Sequence, residues 1–202
     1  STRFWPITCT RFRKSCAHGI CGSDAMIINS VERLACKTLI RDVAGQEGAV
    51  VTIEPLKSLP VQRDLMVDYG RFFETYRRVK PFLIPPGEAE TRENIQTPDE
   101  RSRFDDATKC ILCAACYSAC PVLRNKEADF IGPAAVVQAA RFVFDSRDKG
   151  LEPRLDVLDG PDGVRPCKNH FECTRVCPRG IKVTKNINLT KRAIKEFKER
   201  GP

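Results

Sequence analysis

Eleven cysteines in 202 residues gather almost entirely into three groups, and an odd count leaves one thiol over in any scheme of disulfide pairs. Their clustering points to metal. The most specific group is Cys110-Ile-Leu-Cys113-Ala-Ala-Cys116-Tyr-Ser-Ala-Cys120-Pro121, a complete C-x2-C-x2-C-x3-C-P run. Three thiolates on one tight turn bind three corners of an iron–sulfur cubane, and the fourth cysteine, carried onward by the following helix, addresses a different cluster. That logic demands a second run. Cys167-Lys-Asn-His170-Phe-Glu-Cys173-Thr-Arg-Val-Cys177-Pro178 supplies it at the same spacing, with His170 where the second cysteine would stand. Crosswise pairing assigns Cys110, Cys113, Cys116 and Cys177 to a 4Fe-4S cluster and leaves Cys120, Cys167 and Cys173 as three thiolates for one further site. Three ligands without a fourth suit a 3Fe-4S cluster. Imidazole also binds iron, so His170 leaves a fourth metal open.

Nearer the start, Cys16, Cys21, Asp24 and Cys36 follow the plant-type 2Fe-2S pattern C-x4-C-x2-C with a distant fourth ligand, except that Asp24 holds the third position. A carboxylate ligates iron as an anion, though a harder one than thiolate; Asp24 as a mere loop cap is the alternative. Gly19 and Gly22 allow the positive φ angles that close wrapping of a cluster demands. His18 reads as a solvent-facing or hydrogen-bonding residue of that loop, and Cys9, outside every pattern, as a small hydrophobe. Zinc explains the groups poorly, because tetrahedral sites need two separated cysteine pairs and not four cysteines in so short a run followed by proline.

The elements that must position these ligands separate into zones. Met26 to Asn29 and Ala49 to Ile53 are short strand-type runs among glycines, indicating a small sheet with loops. Apolar residues from Val61 to Val79 recur at three- and four-residue spacing, which predicts one amphipathic helix stopped by Pro81. Pro81 to Gln96 is an irregular connector. Thr97-Pro98-Asp99-Glu100 combines a capping threonine, proline at the first helical position and an acidic third residue, so a helix begins there. Helices are also predicted over Pro133 to Phe144, with its small and apolar residues on one face, and over Ile187 to Lys198, with Ile187, Ile194 and Phe197 inward. The division between a sheet unit, 1–68, and a helical unit, 69–202, falls near residue 68.

Composition bounds the reading. With 42% hydrophobic and 30% charged residues, the chain is neither disordered nor a bundle of membrane spans. Its longest apolar stretches, Gly48 to Ile53 and Phe130 to Ala140, are well short of the roughly 18 residues a spanning helix needs. The opening STRFWPITCT has no secretory signal pattern. A formal charge of +8 would suit an acidic partner, but ten iron-bound thiolates lower it by about five units once the cluster cores are counted. No aromatic-interleaved basic stripe supports nucleic-acid binding.

Taken together, RKSCAHGICGSDAM with LAC at residues 34–36, PLKSLPVQRDLMVD, CILCAACYSACP, FIGPAAVVQAARFVFDSRD and CTRVCPRGI resemble the iron–sulfur subunits of succinate dehydrogenase and fumarate reductase over most of residues 11–182. The resemblance implies an α+β chain: an N-terminal plant-type ferredoxin (β-grasp) domain followed by an all-helical bacterial-type ferredoxin domain. It implies 2Fe-2S, 4Fe-4S and 3Fe-4S clusters relaying single electrons from FAD on a flavoprotein partner to a quinone beside a haem-binding membrane-anchor subunit. No acid, base or nucleophile is then expected here, since succinate oxidation sits on the partner. The chain would be peripheral, on the inner face of an energy-transducing membrane, cytoplasmic in a bacterium. In many members a proline, a tryptophan and a histidine line the quinone pocket; the matching positions here are Pro121, Asn125 and Lys168. Pro121 carries over, and Lys168 and His170 are candidate quinone-side contacts. Members also have a longer leading segment than the 15 residues before Cys16, and Cys9 and Trp5 have no counterpart. FIGPAA, DSRD and Asp24 lean toward succinate oxidation. The alternatives are a quinol:fumarate reductase subunit and a free ferredoxin-like carrier.

Overall fold

The computed structural model describes residues 10–87, 93–127 and 129–200; Trp5 and Cys9 lie outside them. β1 (Ala25–Ile28) and β2 (Val31–Leu34) form an antiparallel hairpin in which Ile28 pairs with Val31. The two turn residues, Asn29 and Ser30, have φ of 48° and 63°, the left-handed pair whose twist matches that of the strands. β3 (Ile53–Glu54) joins the other edge of β1, giving the order β2-β1-β3. The Ala49–Ile53 run is therefore a strand only at its last residue. Just before it, Asn29 and Thr52 bond through backbone and side chain, Thr52 N donating to Asn29 Oδ1 at 2.9 Å.

The single helix expected from Val61 to Val79 is corrected in its first third. Residues Val61–Arg63 (β4) and Met66–Val67 (β5) form a second antiparallel ladder turned at Asp64, whose φ is 51°. A left-handed residue breaks helical propagation, and Asp64 is held there because its carboxylate accepts the Arg11 N–H at 2.9 Å. The helix, α2 (Gly70–Arg78), begins after Asp68 accepts Gly70 N–H at 2.7 Å. Its Phe72 is buried, edge-on to Tyr117 with ring centroids 5.5 Å apart. α1 (Ile40–Val43) is a single turn after Cys36.

The capping signature at Thr97 forms as read. Glu100 N donates to Thr97 Oγ1 at 3.2 Å, and Thr97 N donates to Glu100 Oε2 at 2.8 Å, opening α3 (Pro98–Thr108). α4 (Ala115–Ser118), α5 (Pro121–Arg124), α7 (Leu151–Leu158) and α8 (Glu172–Arg175) are short helices that no long periodic run announced. α6 (Pro133–Val143) is buried at every position from Pro133 to Ala140, not on one face alone, because α3 and α9 (Val183–Arg200) both pack against it. α9 starts four residues before the expected Ile187, where Thr184 N donates to Thr174 Oγ1 at 2.9 Å. The connector after α2 is tied down by Arg154, fully buried, which donates to the carbonyls of Val79, Lys80 and Phe82 and pairs with Asp148 at 2.6 Å.

Two apolar cores result. One joins the sheet residues Ile27, Leu34 and Leu56 to Phe72, Tyr117 and Val176; the other joins Val79, Ala107, Val136, Ile181 and Ile187. The first core thus contains residues of both the sheet and the cysteine runs.

Candidate metal centres

The first cysteine group lies on a loop whose backbone turns inward. Ala17, Gly19 and Gly22 have φ of 57°, 80° and 69°, and successive left-handed residues direct N–H groups into a concavity suited to anions. Three of them, from His18, Ile20 and Cys21, donate to Cys16 Sγ at 3.5, 3.4 and 3.3 Å. These donors hold the half-buried Cys16 thiol down to about 6, which favours its thiolate. Cys21 Sγ receives Cys16 N–H and Ser23 N–H, each at 3.5 Å, and Ser23 Oγ lies 3.1 Å away. Ser23 is a second-rank contributor that the cysteine spacing did not announce.

Asp24 is buried on β1's leading edge. Its Oδ2 accepts Cys36 N–H at 2.7 Å, whereas Oδ1 is buried without any partner. A buried carboxylate oxygen costs free energy unless something pairs with it. Burial, then the neighbouring Asp24 carboxylate, push the Cys36 thiol up. A carboxylate with an orphaned oxygen beside a thiol that resists ionisation is a donor set suited to a cation, whose charge would draw off the thiol proton. His18 turns away: its Nδ1–H donates to Cys16 O at 2.6 Å and the ring is exposed.

The runs around the other cysteines share one backbone. Leu112 and Ala114, flanking Cys113, have φ of 54° and 62°; Asn169 and Phe171, flanking His170, have 58° and 62°. Each pair precedes a one-turn helix, α4 or α8. The bonds also recur: Cys110 N donates to Ala107 O and Cys120 N to Tyr117 O, as Cys167 N donates to Val164 O and Cys177 N to Thr174 O. The structure brings the cysteines together across the two runs. Cys110, Cys113, Cys116 and Cys177 line one small cavity, closed by Ile111, Ala134 and Ile181. Cys120, Cys167 and Cys173 line a second, which Pro121, Lys168 and His170 also line.

Burial pushes the Cys113 thiol up to about 12 and Cys116 well above its usual range, with neighbouring thiols adding repulsion. Burial likewise raises Cys110, Cys120 and Cys173. Such thiols ionise only against bound positive charge, so metal entry must displace their protons. Among the described residues no three His, Cys, Asp or Glu side chains gather closely enough to hold a single ion. The thiols of the second and third groups surround two cavities and do not converge on one point, an arrangement suited to a multi-iron core.

The centres are close neighbours in the fold. A Cβ placed on Gly22 would lie 2.7 Å from Cys113 Cβ and 3.0 Å from its Cα, so the loop of the first centre touches the loop of the second with no side chain between them. Ser118, inside the first run, fixes the same junction: its hydroxyl donates to Glu32 Oε1 on β2 at 2.9 Å and accepts Lys57 N–H at 2.8 Å. Arg124 Nη2 completes the cluster by pairing with Glu32 Oε1 at 2.7 Å. At the far end, Thr184 Oγ1 on α9 lies 3.5 Å from Cys173 Sγ, and Lys168 Nζ donates to Glu127 Oε2 at 2.6 Å.

The chain is similar to known proteins in sequence and in fold. Residues 7–74 match the family of 2Fe-2S iron-sulfur cluster binding domains, and residues 106–181 match the 4Fe-4S dicluster domain family. The succinate dehydrogenase iron-sulfur subunit of Coxiella burnetii is 39% identical over 94% of this chain and 79% of that one. The fumarate reductase iron-sulfur subunit of Mycobacterium tuberculosis is 43% identical over 84% of this chain and 68% of its own length. A chain of the Mycobacterium smegmatis Sdh1 complex in the apo form superposes with a TM-score of 0.83 at 29% identity, covering 96% of this chain and 81% of that one.

Proposed function

Given that the chain belongs to the family of iron–sulfur subunits of succinate dehydrogenase and fumarate reductase, an α+β electron-transfer protein with a 2Fe-2S domain followed by a helical 4Fe-4S ferredoxin domain, we propose that it carries electrons from succinate to quinone through three clusters. Cys16, Cys21, Asp24 and Cys36 would hold the 2Fe-2S cluster. Cys110, Cys113, Cys116 and Cys177 would hold the 4Fe-4S cluster, and Cys120, Cys167 and Cys173 the 3Fe-4S cluster. When bound, these clusters supply one-electron redox chemistry between the FAD of a flavoprotein and a quinone at a haem-binding membrane anchor. The chain's own residues wrap, space and insulate them. The N–H groups of His18, Ile20 and Cys21 stabilise negative charge on Cys16, while residues of α6 and α9 wall the two cavities.

The observation that carries this reading is the crosswise lining of the two cavities by cysteines from both runs. Exposed apolar side chains suit docking at both ends. Ile20, Leu39 and Ile40 flank the first centre, where the flavoprotein would sit, and Phe171 stands beside the third. Pro121, Lys168 and His170 would face the quinone. No described helix is long and apolar enough to cross a membrane, and we assign the chain a peripheral place on the inner face, held by its partners. We place the division between the two units near residue 68, after β5 ends at Val67 and before α2 begins at Gly70.

The test is electron paramagnetic resonance of the purified complex. Cys177→Ser should abolish the four-iron signal and spare the three-iron one, and Cys167→Ser should do the reverse. Opposite outcomes, or a chain purified alone with a full set of clusters and no flavoprotein, would overturn the proposal.

A further inference from the structure

We propose that His170 is the fourth ligand of the third centre and gives it a place for one exchangeable divalent cation. The inference rests on the reading that Cys120, Cys167 and Cys173 hold a three-iron cluster, and it extends that reading to the residue opposite. Two observations carry it. The first is backbone equivalence: the left-handed pair Asn169 and Phe171 brackets His170 as Leu112 and Ala114 bracket Cys113. The same backbone hydrogen bonds anchor the runs on either side, from Val164 to Cys167 and from Thr174 to Cys177 in one and from Ala107 to Cys110 and from Tyr117 to Cys120 in the other. His170 therefore leaves the chain from the position at which Cys113 enters its own four-cysteine cavity. The second is placement, because His170 lines the cavity that Cys120, Cys167 and Cys173 line.

The surroundings suit a metal-binding imidazole. Glu127 is held below the usual carboxylate range by Lys168 and Asn125. Lys168 and Asn125 occupy that carboxylate at 2.6 and 3.2 Å, so Glu127 stays outside the cavity and does not compete for the cation. His170 is exposed, which gives an aqueous ion a way in. Three thiolates with one imidazole suit the borderline cations Fe2+, Co2+ and Zn2+. The reaction is ligand exchange on a three-iron cluster first reduced by one electron from dithionite. The cation loses water, and His170 gives it a nitrogen lone pair; no other bond to the protein breaks.

The experiment uses the complete complex, anaerobically reduced with dithionite, incubated with Co2+ and desalted. The unmodified protein should retain one cobalt per chain and lose its three-iron signal on reoxidation. His170→Ala should keep that signal and retain no cobalt, while His170→Cys should retain cobalt, because a thiolate replaces the imidazole. Equal retention by the unmodified and alanine proteins, whether of one cobalt or none, overturns the assignment of His170. Absence of any three-iron signal before cobalt is added, with iron near six per chain in place of the about nine that the three clusters require, overturns the underlying reading instead.

Discussion

Replacing Ser118 by alanine tests whether the two units are held in one piece by a buried polar junction. Ser118 is fully buried and Glu32 is 4% exposed. The serine hydroxyl serves two groups at once, the Lys57 N–H and Glu32 Oε1. Removing it leaves the Lys57 donor without a partner, while Glu32 keeps Arg124. An unsatisfied buried donor costs ~1–3 kcal/mol, and the surviving charged bond to Glu32 places the net loss at ~2 kcal/mol. For a chain of this size that corresponds to a fall of roughly 4–8 °C in melting temperature, at ~2–4 °C per kcal/mol. The assay is thermal bleaching of cluster absorbance in the purified complex at fixed scan rate. Glu32→Gln should cost less: it keeps an acceptor for Ser118 and gives up only the pair with Arg124, whose side chain is 40% exposed, so solvent screening limits the loss to below ~1 kcal/mol. The double variant Ser118→Ala with Glu32→Ala should fall short of additivity, since the residues share one network. A Ser118→Ala protein that melts with the unmodified one, or strictly additive effects, would refute the reasoning.

Three further outcomes are expected. Asp24→Cys should keep a 2Fe-2S resonance with a shifted potential, and loss of that cluster would show that the carboxylate is required there as such. Gly22→Ala should lower stability more than Gly48→Ala: both have positive φ, near +69° and +80°, but only the Gly22 methyl meets Cys113, while Gly48 faces open space. The strained backbone accounts for ~1–2 kcal/mol in each, and equal melting temperatures would rule out the close approach of the two loops. Finally, the bond from Arg78 at 2.7 Å holds the Asp162 carboxyl below its usual range. A depressed folded pKa adds stability above the unfolded value of about 3.9 and loses it as pH falls through the folded value. Acid melting of Arg78→Met should therefore be less steep over that interval, and unchanged steepness would dismiss the pair.

The parts most readable in the chain were those in which a local rule decides the outcome. The cysteine spacing implied two ligand sets drawn from both runs, and cysteines of both runs line each of two cavities. The Thr97 capping box and the positive φ of Gly19 and Gly22 follow from neighbours a few residues away. What was misread depends on distant partners. Val61 to Val67 has helical spacing, yet Asp64 is captured by the Arg11 N–H and turns the chain into a ladder. The Ala49–Ile53 run lacks a partner strand for most of its length. Ser118, Glu32 and Arg124 are far apart in sequence and carry no spacing signal, so their junction became visible only with the fold in hand.

Each cysteine-lined cavity draws on both runs, and this bears on the order of events during biosynthesis. The pocket around Cys110 has no closing wall until Cys177 has left the ribosome, so a cluster held there could be inserted only after the second run has been made. Once seated, a metal core in each cavity would staple segments more than forty residues apart, and two such staples crossing one another would restrict the unfolded chain far more than either alone. Iron starvation should then expose the whole helical half to proteolysis at once, without a stepwise trail of trimmed fragments.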